Sequence, residues 1–486
     1  MSLSHSALAR GVEDKQGKFS LRGFPIPFGL RGPNRVKEPL KTIVLVVDEG
    51  ARDALGLLLL GFELVRRGFR AVVSYASMGD ILKVFPEAVF LGKAGTGYAI
   101  RRRLATDGTW PFPFAFHPAE GAFFQEEGWA SSVERKYFLK AFTKQQPDVI
   151  MAWGQEQAHI IESFHPQAAV ETVVTGSQRI DLCLPKNHWL SSESSKSVQD
   201  EFGDFVLITT RFTTILNQAP TYSLFKLLGK GSAGAVSKSS PPVERNRWAR
   251  DSIDFGIFVE FIQAVASHLP AQKFLLRPHP SENAEIYRLL FSDFPNVQVD
   301  RKGNIVPLIL AAKALVTSNC TTALEAVMCG TPTLNLSRFV GKRDPGGVTI
   351  AREAGTLVSS AEAGVKALKS MVSGDFSPSQ QTWSSTARRR LANLSREATP
   401  IIADILVDLS SRVAPTGLPA TARIKKLGRR PGMASENGKA INLCELDPWG
   451  LLAKAEEQGY GKVRLAVATS DALVIEPICS PERQSY

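Results

Sequence analysis

Cysteine is scarce in this sequence and is never paired at short spacing. The chain of 486 residues contains five cysteines, and no CxxC motif brings two of them together. Zinc ribbons and disulfide frameworks both require clustered cysteines. The pattern therefore excludes both classes and is typical of a protein of the reducing cytoplasm.

Long hydrophobic runs are also missing. The longest run, ALGLLLLGF at 54–62, is far shorter than the roughly 20 residues that a membrane-spanning helix needs. The N-terminus, MSLSHSALARGVEDKQG, has no apolar segment, so we expect no signal peptide. No DxD pair follows a predicted strand, so the sequence gives no reason to expect a metal ion or another cofactor.

The charge is unbalanced toward the basic side. The net charge of +11 favours an anionic partner, which is a nucleic acid, an acidic membrane surface or a phosphorylated substrate. Basic clusters stand at 101–103, 388–390 and 425–430, although an ordinary solvated surface explains each of them equally well. The arginine clusters lack interleaved aromatic residues and no recognition motif is present, so we expect no nucleic acid.

Apolar runs alternate with helical patterns along most of the chain. KTIVLVVDEG at 41–50 is typical of a strand buried on both faces, and a helical pattern and a second strand, FRAVVSYA, follow it. A second series begins at FVLITTRF, 205–212, and includes KFLLRPHP, ALVTSN and TPTLNL. The alternation predicts an α/β protein with two Rossmann-like domains that face a cleft.

Composition suggests how the chain is divided. We expect an N-terminal arm at 1–40, a first domain at 41–195, a second domain at 200–412 and a basic C-terminal appendage at 413–486. The polar, serine-rich stretch 185–199 is expected to link the domains, and the low-complexity stretch 229–244 is expected to be a mobile loop or lid.

The motif RPHPSE, at 277–282, directly follows a predicted strand. Ligands of open α/β sheets bind outside the carboxyl ends of the strands. The prolines on both sides of His279 restrict its backbone, and both Arg277 and an imidazole N–H suit phosphate oxygens. A loop histidine that caps the next helix together with Ser281 is the alternative.

A second strand end reads TSNCTTALEAVMCGTP, at 317–332. Ser318 and Asn319 close the strand, and Thr321 and Thr322 open a helix whose free N–H groups favour anions. Glu325 lies one helical turn along and has the right chemistry to accept hydrogen bonds from ribose hydroxyls. The spacing of Thr322 and Glu325 is also that of a capping box.

A pair of adjacent acids, Glu126 and Glu127, precedes a glycine in FFQEEGWA. Adjacent carboxylates raise each other's pKa when they are desolvated, which suits a general base for a sugar hydroxyl. A solvated loop explains the same pattern. Asp48 and Glu49, which follow the first predicted strand, form a rival acidic pair.

These segments, in this order, resemble those of the bacterial surface carbohydrate (surface polysaccharide) biosynthesis proteins, which look like GT-B glycosyltransferases. The resemblance covers roughly 41–340 and depends most on RPHPSEN and NCTTALEA. Bacterial sialyltransferases and Kdo transferases are more distantly similar. They carry an acidic-pair-plus-glycine motif in the first domain and a His-Pro motif in the second.

The resemblance implies a role for each matching residue. Glu126 or Glu127 would be the general base, although Gln125 stands where relatives tend to have another acid, so the choice between the two glutamates stays open. His279 would contact the donor phosphate and Glu325 the ribose. The expected donor-binding residues are Arg277, His279, Pro280, Ser281, Ser318, Asn319, Thr321, Thr322 and Glu325.

The sequence therefore predicts an inverting, metal-independent glycosyltransferase of surface polysaccharide biosynthesis. Its expected donor is a CMP-activated Kdo or another nonulosonic acid, and its expected acceptor is a glycan or a lipid-linked molecule. A transferase that uses a UDP-sugar or CDP-glycerol is the alternative within enzymes, and a non-catalytic scaffold or a nucleic-acid-binding protein is the alternative outside them. We expect a cytoplasmic protein whose basic surface contacts the anionic inner face of the membrane.

Overall fold

The computed structural model describes thirteen stretches of the chain, which are 39–47, 50–75, 78–92, 112–118, 121, 147–164, 170–216, 242–301, 303–337, 349–375, 383–427, 443–469 and 471–478. The strands in these stretches are β1 (Thr42–Val46), β2 (Arg70–Ser74), β3 (Ala88–Gly92), β4 (Phe114–Phe116), β5 (Val149–Ala152), β6 (Glu171–Val174), β7 (Phe205–Thr209), β8 (Lys273–Arg277), β9 (Val297–Val299), β10 (Ala314–Thr317), β11 (Thr333–Leu336), β12 (Thr356–Val358), β13 (Val463–Ala468) and β14 (Ala472–Pro477). The helices are α1 (Gly50–Arg66), α2 (Met78–Val84), α3 (Gln155–Phe164), α4 (Gln178–Asp181), α5 (Ser192–Phe202), α6 (Thr213–Leu216), α7 (Pro242–His268), α8 (Ala284–Leu290), α9 (Ile305–Ala311), α10 (Thr322–Met328), α11 (Thr349–Glu353), α12 (Ala361–Ser373), α13 (Ser385–Arg390), α14 (Thr399–Leu409), α15 (Thr421–Ile424) and α16 (Pro448–Glu457).

The strands form two separate sheets. The first has the order β13-β14-β2-β1-β3-β4-β5-β6, and the second has the order β12-β11-β10-β7-β8-β9. All pairs are parallel except β13–β14 and β14–β2. The predicted α/β class with two Rossmann-like domains is confirmed. We call each sheet, with the helices that cover it, the first lobe and the second lobe.

Each sheet is buried because helices cover both of its faces. Along β1, Ile43 and Leu45 pack in one hydrophobic cluster with α1 and α14, whereas Val44 and Val46 pack in another with α2 and α3. This division follows from the two-residue period of a strand, which sends successive side chains to opposite faces. The second sheet is covered by α7, α8 and α12 on one face and by α5 and α9 on the other.

The stretch expected to link the domains is helical. Residues Pro185–Ser191 form a 3₁₀ helix, and α5 follows without a break. Val198 and Phe202 of α5 pack against Leu275 and Leu308 in the core of the second lobe. The serine-rich composition therefore marks the exposed face of a packed helix rather than a flexible connection.

The chain returns to the first lobe before the expected boundary at residue 412. Helix α14 packs on α1, and its Ile402 and Leu406 lie in the same cluster as Leu58. Within the expected appendage, β14 pairs antiparallel with β2, and Arg70 donates a 2.7 Å hydrogen bond from Nε to Oε1 of Glu476. These contacts join many distant residues, so local sequence patterns do not reveal them.

In the stretches of chain described above, no helix combines the length and the hydrophobicity that crossing a membrane requires.

Candidate functional site

The second sheet has its switch point between β7 and β10. The chain runs from β7 outward through β8 and β9, and then restarts on the other side of β7 with β10, β11 and β12. The loops that leave the two central strands therefore diverge and open a crevice at their carboxyl ends. Nucleotide ligands of doubly wound sheets bind in such a crevice. Thr210 and Ser318, which directly follow β7 and β10, stand at this point.

Two threonine hydroxyls meet across the switch point. Oγ1 of Thr209 shares a 2.8 Å hydrogen bond with Oγ1 of Thr322, the first residue of α10. Thr321 is the N-cap of this helix, but its side chain makes no capping hydrogen bond. The expected capping box is therefore not formed, since the hydroxyl of Thr322 turns toward β7. Thr321 and Thr322 are half-buried, whereas Thr209 is buried.

His279 is exposed on the loop that leaves β8, the neighbour of β7. Its backbone N–H donates a 3.0 Å hydrogen bond to Oγ1 of Thr210, and its Nδ1 accepts a 3.2 Å hydrogen bond from the N–H of Ser281. A neutral ring that accepts at Nδ1 carries its proton on Nε2. The next helix, α8, is capped by Asn283 rather than by His279 or Ser281. The alternative of a helix-capping histidine is therefore wrong.

A buried carboxylate holds the loop that carries His279 in place. Glu282 is fully buried, and its Oε2 accepts hydrogen bonds from the hydroxyls of Thr210 and, at 2.8 Å, Tyr287. Burial raises the pKa of Glu282 to about 7. Thr210 therefore donates to Glu282 and accepts from His279, which links the buried acid to the exposed histidine.

Arg277 is close to His279 in sequence but is engaged elsewhere. Its Nη2 donates a 2.6 Å hydrogen bond to the carbonyl of Gly303, and its residue surface is 9% exposed. Burial lowers the pKa of Arg277 to about 10, although Asp300 opposes the effect. A different cation, Arg301, donates a hydrogen bond to the carbonyl of Pro280 and so lies beside the histidine loop. Sequence inspection missed Arg301 because it follows β9, a short edge strand.

Arg211 is the second residue that sequence inspection missed. It donates hydrogen bonds to the carbonyl of Ser318 at 2.7 Å, to Asp251 at 3.1 Å and to Asp254 at 3.3 Å. These bonds join the ends of β7 and β10 to α7. Its position was the available signal. Arg211 is a cation near the end of the run FVLITTRF, just as Arg277 in RPHP is a cation at the end of β8. A small open pocket beside Arg211 is lined by Arg211, Asp254, Ile257, Ser318, Asn319, Leu336 and Ser337.

Asn319 turns the chain sharply between β10 and α10. Its φ is +53°, in the left-handed region that asparagine tolerates better than most residues. Its N–H donates a 2.7 Å hydrogen bond to Oδ1 of Asn335, whose Nδ2 donates at 2.6 Å to the carbonyl of Ala351. The turn is therefore fixed by the neighbouring strand β11.

Glu325 lies at the boundary between the lobes. Its Oε1 is 3.0 Å from Nη2 of Arg179 in α4, and both side chains are buried. The guanidinium of Arg179 lies 5.3 Å from the centre of the Trp153 ring, which follows β5 of the first sheet. The ion pair thus joins Glu325 to the first lobe. The ribose contact expected of Glu325 stays a prediction.

Loops from the carboxyl ends of the first sheet also meet at this boundary. Trp153 donates a 3.0 Å hydrogen bond to the carbonyl of Pro118, after β4, and stacks on His117. The expected general bases, Glu126 and Glu127, follow β4 in sequence but lie outside the described residues. The rival acids Asp48 and Glu49, directly after β1, also lie outside them.

The two lobes enclose a cavity of about 240 Å³ away from the predicted residues. Leu55 and Leu446 line it from the first lobe, and Phe202, Leu275 and Leu308 line it from the second. None of the expected donor-binding residues is in its lining. The candidate site is therefore the polar crevice at the switch point and not this apolar cavity.

Comparison with known proteins gives a likeness of architecture only. No family model and no curated protein matches the sequence. A variant of the wall teichoic acid polymerase TagF is 12% identical with a TM-score of 0.48, covering 76% of this chain and 90% of that chain. The UDP-GlcNAc 2-epimerase from Methanocaldococcus jannaschii is 12% identical with a TM-score of 0.43, covering 76% of this chain and 99% of that one. The epimerase from Rickettsia bellii is 10% identical with a TM-score of 0.41, covering 77% and 97%. At these scores we infer no activity from the likeness.

Proposed function

We propose that the protein is an inverting, metal-independent glycosyltransferase of surface polysaccharide biosynthesis that binds a nucleotide-activated sugar in the crevice between β7 and β10. One observation carries the proposal. An exposed histidine, fixed by its neighbours so that its Nε2–H can donate, stands one strand away from paired threonine hydroxyls at the switch point. Donors of this kind match the oxygens of a phosphate.

The reaction requires charge stabilisation at the leaving phosphate. The acceptor hydroxyl loses its proton to Glu126 or Glu127, and its oxygen attacks the anomeric carbon from the face opposite the phosphate. The bond between that carbon and the phosphate oxygen then breaks, and the nucleotide leaves with both bonding electrons. His279 Nε2–H and the hydroxyls of Thr321 and Thr322 stabilise the negative charge that develops there. The sequence gives no reason to add a metal ion or a cofactor to this scheme.

The proposed donor is a CMP-linked Kdo or another nonulosonic acid, and the alternatives are a UDP-sugar and CDP-glycerol. A ligand that binds only the folded protein raises the melting temperature by mass action. We therefore expect CMP to raise the melting temperature more than CDP, UDP or GDP at equal concentration in a thermal-shift assay. A larger shift with UDP or CDP would replace the proposed donor by the corresponding alternative.

Replacing His279 tests the proposal most directly. His279→Ala should reduce turnover by roughly 100-fold or more, as the loss of one preorganised donor at a developing charge commonly does. The side chain is exposed, so the melting temperature should change little. The measurement is transfer of radiolabelled sugar from CMP-Kdo or CMP-sialic acid to an oligosaccharide acceptor.

His268→Ala is the matched control, because His268 is also exposed but lies at the end of α7, where its ring hydrogen-bonds the carbonyl of Ala264 in the same helix. It should transfer sugar at the wild-type rate. Equal rates for His279→Ala and wild type would exclude the assigned role of His279.

We propose that the protein works at the cytoplasmic face of an anionic membrane on a glycan or lipid-linked acceptor. Part of its basic surface is already neutralised, since Arg390 and Arg389 both pair with Glu156, at 2.6 Å and 3.5 Å. Cosedimentation with vesicles containing phosphatidylglycerol at low salt tests the contact, and protein that stays in the supernatant would exclude it.

A further inference from the structure

Two cysteines meet at the boundary between the lobes. The segment that begins with α4 contributes Arg179 and, four residues later, Cys183, whereas α10 contributes Glu325 and, four residues later, Cys329. The 3.0 Å ion pair between Arg179 and Glu325 fixes the two segments side by side. One helical turn further, Cys329 packs against the hydrophobic cluster that contains the buried Cys183, and the two thiols lie near enough to shift each other's pKa. The proximity of the thiols thus agrees with an independent contact one turn away.

The two thiols differ in their surroundings. Cys183 is fully buried in the core of the first lobe, whereas Cys329 is partly exposed at the end of α10. Cys329 packs against the hydrophobic clusters of both lobes. Cys329 is therefore the thiol that a small reagent reaches first, and Cys183 lies directly behind it.

A histidine completes the cluster. His188 donates a 3.1 Å hydrogen bond from Nε2 to the carbonyl of Cys183, and its ring lies near Cys329. The neighbouring Cys183 and His188 lower the pKa of Cys329 to about 7 in spite of its burial, while the same thiol neighbour and burial raise the pKa of Cys183. Glu325 opposes the effect at Cys329. Cys329 therefore has thiolate character and Cys183 stays a thiol.

We propose that Cys329 and Cys183 form an oxidative modification site whose substrate is a small hydroperoxide and whose product is a disulfide between the lobes. In the first step the Cys329 thiolate attacks the terminal oxygen of the hydroperoxide, an S–O bond forms, the O–O bond breaks, and the leaving alkoxide, or hydroxide when the substrate is hydrogen peroxide, takes a proton from solvent to become an alcohol or water. In the second step the Cys183 sulfur attacks the sulfur of the Cys329 sulfenic acid. An S–S bond forms, the S–O bond breaks, and the leaving hydroxide takes the proton that Cys183 gives up and departs as water. The two thiols are oxidised and one hydroperoxide is reduced.

The product would tie the second lobe to the first near the proposed donor crevice. Helix α10 carries Thr322 at one end and is followed by Cys329 at the other. A covalent bond at Cys329 therefore fixes one end of the helix whose other end lines the crevice. This inference does not depend on the proposed function, since it concerns only the two thiols and their histidine.

Cys320 offers an internal comparison in the same lobe. It is half-buried, and burial raises its pKa. The pKa of Cys329 is lowered whereas that of Cys320 is raised, so Cys329 carries the larger thiolate fraction at pH 7. At pH 7 iodoacetamide should therefore alkylate Cys329 at least about tenfold faster than Cys320.

His188→Gln should move the pH at which Cys329 alkylation is half-maximal upward, whereas a purely structural role of His188 would leave that pH unchanged.

The decisive experiment is peptide mapping of the full-length wild-type protein after treatment with hydrogen peroxide. The protein is blocked with iodoacetamide, digested without reduction and analysed by mass spectrometry. We expect a linked pair of peptides that contain Cys183 and Cys329, with a mass two hydrogens below the sum of the separate peptides. Cys320→Ser should give the same linked pair.

Cys183→Ala separates the two steps, because Cys329 then has no thiol to resolve it. Its sulfenic acid should be trapped by dimedone in this variant and not in the wild type. Alkylated, unlinked Cys183 in the peroxide-treated wild type would overturn the proposal. So would a linked pair that contains Cys320, Cys444 or Cys479 in place of either cysteine.

Discussion

Single residues at the candidate site depend on partners that are far away in the chain. The motif RPHPSE predicted that His279 would lie at a strand end. The prolines on both sides restrict its backbone, and the chemistry of its ring is known from the residue type alone. The motif did not predict the support of the loop, since Thr210 lies 69 residues from His279 and 72 residues from Glu282. Arg277 shows the converse, because its side chain contacts Gly303 although its type suits a phosphate.

Glu282 should make the stability of the protein depend on pH. Its pKa rises from 4.5 to about 7 on folding because burial disfavours the charged form. The folded state then binds a proton more tightly, so the stabilisation is complete below pH 4.5 and is lost as the pH rises toward 7. The shift corresponds to about 3 kcal/mol. Urea unfolding between pH 5 and pH 8 should show this fall in wild type and a flatter profile in Glu282→Gln.

Glu285→Gln is the matched control, because Glu285 is exposed in the first turn of α8. It should retain the wild-type profile. Arg301 and Tyr287 lie near Glu282, and both keep their protons over this pH range. A profile in Glu282→Gln as steep as that of wild type would assign the pH dependence to another group.

At the scale of elements, the sequence predicted what each segment forms but not always where it packs. The runs KTIVLVV, KFLLR and ALVT are the buried strands β1, β8 and β10, and KVRLAVAT contains β13. Helix α14 was expected in the second domain because it follows α12 and α13 in the chain. It packs in the first lobe because its apolar face, with Ile402 and Leu406, matches that of α1.

A buried acid of the first lobe anchors α14. Asp181 accepts hydrogen bonds at 2.7 Å from the N–H and the hydroxyl of Thr399, and at 3.0 Å from the N–H of Ala398. Nδ2 of Asn393 donates to it at 2.7 Å. Asp181→Asn replaces one accepting oxygen by an NH₂ group and leaves buried donors unpaired, each at a cost of about 1–3 kcal/mol. The free energy of unfolding in urea should fall by about 3 kcal/mol.

Asp404→Asn provides the comparison within the same helix. Its carboxylate is 71% exposed and pairs with Arg67 on the surface, so the change should cost about 1 kcal/mol or less. If Asp181→Asn and Asp404→Asn reduced the free energy of unfolding by the same amount, Asp181 would contribute no more than an exposed charge.

At the scale of the whole molecule, two series of strands in the sequence correspond to two sheets in the structure. The sequence did not predict that residues 463–477 form the edge strands of the first sheet. Arg70 and Glu476, both fully buried, hold this edge through a 2.7 Å hydrogen bond. Their separation of 406 residues leaves no local signal. The general bases expected at Glu126 and Glu127 stay predictions, since they lie outside the described residues.

The position of β14 sets the order in which the molecule can be completed during synthesis. All strands of the second sheet and α12 precede residue 375, whereas β2 keeps an open edge until residues 472–477 emerge from the ribosome. An unpaired strand edge invites pairing with other chains. A chain shortened to end at residue 427 should therefore protect the amides of β7, β8 and β10 from hydrogen exchange but expose those amides of β2 that face β14 rather than β1. The first lobe, whose strands are synthesised first, is therefore the last to complete its sheet. Newly made chains depend on β13 and β14 to cover that edge and avoid aggregation.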